Sequence, residues 1–90
     1  MANPGSENLQ RSRLAWRCRR GMRELDVLLT DWLAQRFESS GEGLQNDFAR
    51  LLECEDDRIW DWVTGRSPAE PDLIELVKAI REHAANRPSS

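Results

Sequence analysis

The chain has 90 residues and a net charge of -3, with 32% charged and 39% hydrophobic residues. A chain of this length makes one small domain that buries only about 60–65% of the surface its unfolded form exposes. It carries no run of about eighteen apolar residues and no apolar leader behind Met1, and Cys18 and Cys54 fit neither a CxxC zinc pattern nor a disulfide framework, so a soluble, cytoplasmic protein is expected.

In chain order, residues 1–6 include Asn3, Pro4, Gly5 and Ser6 with little to bury, and both they and the tail over 86–90 are expected to be flexible, leaving a helical domain over 7–85. A first helix is predicted from about Glu7 to Arg19, presenting Leu9, Leu14, Trp16 and Cys18 to the interior. Gly21 then marks a boundary, because glycine inside a helix costs about 1 kcal/mol relative to alanine. Arg17, Arg19 and Arg20 precede it, where cations suit the negative end of a helix dipole; Glu24 and Asp26 follow, where carboxylates suit the positive end of the next. A second helix is predicted from Met22 to Phe37. Its Met22, Leu25, Leu29 and Trp32 follow a 3-4-3 spacing, broadened by Leu28, Leu33 and Phe37, and Glu24 borders this stripe without belonging to it.

Ser39-Ser40-Gly41-Glu42-Gly43 reads as a loop, after which Leu44, Phe48, Leu51 and Leu52 mark a short third helix. Asp56 or Asp57 can cap a fourth, which carries Ile59, Trp60, Trp62 and Val63 and stops at Gly65, with one of the two tryptophans left exposed. Pro71 suits the first turn of a fifth helix whose buried stripe is Leu73, Leu76, Val77 and Ile80. The expected fold is an all-α, single-domain bundle of five helices.

Charge is divided along the chain: residues 1–23 hold six arginines against Glu7, or +5, whereas the remainder sums to -8. Such asymmetry can steer a charged partner. Arg13, Arg17 and Arg20 recur at spacings of four and three, so a first helix reaching Arg20 would carry one basic ridge able to meet carboxylates or phosphates. Nucleic-acid binding therefore stays open as an alternative, although the chain is acidic overall and has no recognition-helix or RNA-binding signature. Arg20 and Glu24 can also form an internal pair, but an exposed pair with arginine first contributes only about 0.2–1 kcal/mol.

Enzyme chemistry finds little support. His83 is the only histidine, and an interaction with the end of its helix explains it better than catalysis. Gly41 and Gly43 precede no Lys-Ser/Thr pair of a phosphate loop, and Asp56, Asp57 and Asp61 lack the alternating spacing and central glycine of a calcium loop, so no metal site is expected.

Two blocks of residues carry a resemblance. The first is Trp16-x-Cys18-Arg19-Arg20-Gly21-Met22-Arg23-Glu24-Leu25-Asp26, which contains Arg-Gly-x-x-Glu; the second is Phe48-x-x-Leu51-Leu52-Glu53-Cys54-x-Asp56, followed by Trp62 and by Pro71-Asp72. In this order, over roughly residues 11–83, the sequence resembles the FAD assembly factors of succinate dehydrogenase, the succinate dehydrogenase assembly factor 2 family. The resemblance implies a five-helix, chaperone-like protein that binds the flavoprotein subunit of succinate dehydrogenase, and of fumarate reductase in bacteria, and promotes covalent attachment of FAD to a client histidine. It implies partner contacts at Arg20, Gly21 and Glu24, with Arg19, Arg23 and Arg13 secondary by position. No tightly bound cofactor is expected, and direct FAD binding is left open. Without a sustained heptad seam, a monomer forming a one-to-one heterodimer is expected. Relatives have also carried an antitoxin label, so an antitoxin-like regulator is a further alternative.

Overall fold

The computed structural model describes residues 12–86, so Leu9 and the ends predicted to be flexible, Asn86 apart, lie outside the described residues. Helix α1 occupies residues 12–17 among these, followed by α2 (Arg23–Arg36), α3 (Glu42–Leu51), α4 (Asp56–Val63), a 3-10 turn (Pro71–Leu73) and α5 (Ile74–Ala85). The predicted all-α bundle of five helices is the fold that forms. No described helix is long and apolar enough to cross a membrane.

Helix α5 is the central pillar, touching α2, α3 and α4. Its Leu76, Val77 and Ile80 are buried, as is Leu73 in the preceding turn, so the stripe read from spacing is the stripe that packs. From α2 come Leu25, Leu29, Trp32 and Leu33. Trp32 stacks on Phe48 of α3 at 5.0 Å between ring centroids and meets Phe37 edge-on at 6.3 Å, a geometry favoured by the ring quadrupoles. Helix α4 closes the core with Ile59, Trp62 and Val63.

The helix ends explain where the chain turns. Ser39 and Ser40 hydroxyls donate to the Arg36 carbonyl at 3.2 and 2.7 Å, and the Gln45 amide donates to Phe37 and Ser40 carbonyls, so the open end of α2 is satisfied locally. After α4, Gly65 takes φ +82°, its N–H donates to the Trp62 carbonyl and that of Arg66 to the Asp61 carbonyl. This pairing closes a helix on a left-handed residue, as the sequence suggested.

Several expectations need correction. Helix α3 starts at Glu42 with Gly41 as its N-cap, so Gly43 lies in the first turn and not in a loop; first-turn N–H groups have no intrahelical partner, and glycine is accepted at the cap. Neither Asp56 nor Asp57 caps α4. Glu55 holds that position without a side-chain bond, while Asp56 is drawn away to Arg20. Of the two neighbouring tryptophans neither is left exposed: Trp62 is buried and Trp60 packs half-buried against the edge of the core.

Candidate functional site

The corner between α1 and α2 is built from a glycine, an aspartate and an arginine. The Cys18 N–H donates to the Leu14 carbonyl and that of Arg19 to the Trp16 carbonyl, which ends α1 in a tight turn. Gly21 then adopts φ +89°, a conformation that costs a side-chain-bearing residue about 1–2 kcal/mol. A Cβ at this position would meet nothing within 4 Å among the described residues, so there it is backbone rotation and not close packing that calls for glycine. Beyond it the Asp26 N–H donates to the Met22 carbonyl, the first bond of α2, while the Asp26 carboxylate accepts the Arg20 N–H at 2.8 Å. One residue thereby bonds backbone on both sides of the bend.

Arg20 faces inward, with only 12% of its side chain exposed. Its Nε donates to the Asp56 carboxylate, Nη1 to the Leu52 carbonyl at 2.8 Å and to the Arg17 carbonyl at 2.9 Å, and Nη2 to the Cys54 carbonyl. The planar guanidinium thus ties the end of α1, the turn leaving α3 and the first residue of α4, a task suited to its forked donors. It lies over carbonyl ends of helices, where positive charge is favourable. The Arg13, Arg17 and Arg20 ridge is consequently not formed: the helix stops short of Arg20, and the third arginine turns into the protein while Arg13 and Arg17 stay exposed. The arginine-ridge argument for nucleic-acid binding loses its geometry with it. Arg20 pairs with Asp56 and not with Glu24, which is exposed on the first turn of α2 beside exposed Arg23.

Cys18 is enclosed beside this network at 0% exposure. Burial pushes its thiol up to about 11, outweighing the opposite pull of the Arg20 charge, and burial also raises Cys54. Trp16, expected inside, stands 71% exposed. Leu14 and Cys18, one turn apart, define the inner face of α1, and a residue midway between them points about 200° away. Arg19, also exposed, lays its guanidinium over the Trp16 ring at 5.5 Å from the centroid. His83 does more than sit in the last turn of α5: its Nε2 lies 2.7 Å from an Asp31 carboxylate oxygen, bridging α5 to α2.

Asp26, Asp31 and Asp56 escaped the reading of the sequence as functional partners of the corner and of His83. Asp56 had a signal in the acidic turn that opens α4 and Asp26 in the carboxylates that follow Gly21, its partner lying only six residues away; Asp31 finds His83 through tertiary packing.

A family model described as flavinator of succinate dehydrogenase matches residues 12–84. The chain belongs to that family. Among curated proteins it is 39% identical over 75 residues to the FAD assembly factor SdhE of Legionella pneumophila strain Paris, an alignment spanning 83% of this chain and 95% of that protein. It is 44% identical over 59 residues to the FAD assembly factor SdhE of Xylella fastidiosa strain 9a5c, covering 66% of this chain and 61% of that one. With the factor of the same name from Yersinia pestis it shares 35% over 72 residues, or 79% and 82% of the two chains. The flavinator-family span runs from α1 to the last turn of α5, so it takes in the whole Arg20 network, the Gly21 bend and the Asp31–His83 bridge.

Proposed function

We propose that this protein is a chaperone-like assembly factor that binds the flavoprotein subunit of succinate dehydrogenase, and also that of fumarate reductase, and promotes covalent attachment of FAD to a histidine of the client. The observation that carries the reading is family membership over residues 12–84, in a chain whose Arg20–Glu24 corner is rigidly built and outwardly open. In this reading Gly21 admits the client close to the backbone, and Glu24, Arg19, Arg23 and Arg13 make the charged contacts. Arg20 acts by fixing the shape of the corner, because its donors are engaged within the chain.

The factor works without chemistry of its own. Cys18 is enclosed and protonated at neutral pH, which leaves no thiolate there to attack a flavin. Binding favours a client conformation with flavin and histidine aligned, a contribution of proximity and orientation. The proposed place of action is the cytoplasm, as a one-to-one complex with the client subunit. Light scattering on the mixture of this chain with purified flavoprotein subunit tests it: a single heterodimer peak is expected, lost or weakened for Glu24→Ala, whereas equal binding by that variant would remove the corner as the contact.

A further inference from the structure

Folding alone gives no reason for Trp16 to be where it is. Large aromatic side chains are ordinarily well covered, yet this ring is 71% exposed on a helix whose inward positions, Leu14 and Cys18, are already filled. It also has a partner. The Arg19 guanidinium lies over the ring at 5.5 Å, and the Arg19 N–H donates to the Trp16 carbonyl at 3.1 Å, so the turn that ends α1 sets the two side chains against each other on one exposed face. Shallow hollows adjoin Arg19 on both sides, one beside Ser12, Ala15 and Trp16 and the other along α2, where Val27 is 46% exposed.

We infer that Trp16 is the aromatic anchor of the contact with the client flavoprotein, inserting into an apolar pocket rimmed by carboxylates, with Arg19 orienting the ring and pairing with that rim. The inference rests on the flavoprotein subunit being the partner. Charge complementarity sets the chemistry of the pocket: Arg13, one turn before Trp16, and Arg17 and Arg19 after it are all exposed cations around an apolar ring. Tryptophan and arginine are also the residues that most often dominate protein interfaces.

The test is titration of purified flavoprotein subunit into full-length wild type, Trp16→Phe, Trp16→Ala and Arg19→Ala, each shown folded by circular dichroism, alongside acrylamide quenching of tryptophan emission. Trp16→Ala is expected to bind about thirtyfold more weakly or worse, with Trp16→Phe and Arg19→Ala intermediate. Because Trp32 and Trp62 are buried and Trp60 half-buried, the readily quenched emission belongs chiefly to Trp16 and should become protected in the complex. Wild-type affinity in Trp16→Ala, or unchanged quenching in the complex, would overturn the anchor while leaving the partner intact. Failure of wild type itself to bind the subunit, with Trp16-dependent capture of a single-stranded oligonucleotide instead, would overturn both.

Discussion

Arg20 and Arg19 are neighbours in sequence and opposites in consequence. Arg20 donates to a carboxylate and three carbonyls from three parts of the chain, so Arg20→Ala should cost about 2–3 kcal/mol in urea unfolding, and Arg20→Lys should recover little because an ammonium cannot reproduce the fork. Arg19→Ala, on the surface, should change stability by no more than about 0.5 kcal/mol. Gly21→Ala should cost about 1–2 kcal/mol from its φ of +89° alone, since a methyl group there meets no neighbour among the described residues. Gly21→Arg carries the same strain and also fills the open face, so its effect on the client needs a fold control.

The Cys18 thiol gives a pH signature. Its proton is held up to about 11 in the folded chain against an ordinary 9.0, so between those values the unfolded chain binds fewer protons. The contribution is fully present below pH 9.0 and is lost as pH rises towards 11. Unfolding free energy should therefore fall more steeply over this range in wild type than in Cys18→Ala, measured by urea titration at each pH. Parallel slopes in the two proteins would show that the thiol is not protected as described.

Among the elements, α2 and α5 are joined by packing and by the Asp31–His83 bridge. A short, partly buried hydrogen bond between ionisable side chains is worth about 1–2 kcal/mol, so His83→Ala should lower stability by that amount at neutral pH. A double-mutant cycle with Asp31→Ala should return a coupling of the same sign; zero coupling would remove the bridge as a stabilising contact. Both residues sat in plain view in the sequence, but 52 positions apart, and no local pattern relates them. Helices α2 and α5 were legible because their apolar residues follow a sustained helical period. The start of α3 was not, because Gly41 and Gly43 advertise a loop, whereas Gly41 takes the extended conformation of an N-cap and its carbonyl accepts the Gln45 N–H as the first bond of the helix. The corner shows the same division. Gly21 announced a turn by composition, and the outward face of Trp16 follows from helical spacing once Leu14 and Cys18 are set inward, whereas the inward swing of Arg20 depends on where Asp56 and the carbonyls of Leu52 and Cys54 lie once the bundle has closed.

For the molecule as a whole, the described arginines of the basic N-terminal region are not spread along one ridge but sorted by the fold: Arg20 is consumed in joining three helices, and Arg13, Arg17, Arg19 and Arg23 remain exposed. A rigid corner with an accessible rim is what an assembly factor needs if it is to hold a client in one conformation and supply orientation without chemistry. On the proposed contact through exposed arginines and Glu24, salt should weaken the complex, because such charges are screened. The central claim is read most directly from in-gel flavin fluorescence of denatured succinate dehydrogenase flavoprotein, which retains only covalent FAD, in cells lacking this protein and in cells restored with wild type or with folded Glu24→Ala. The account predicts fluorescence restored by wild type and not by Glu24→Ala; equal flavin signal with and without the wild-type chain would contradict it.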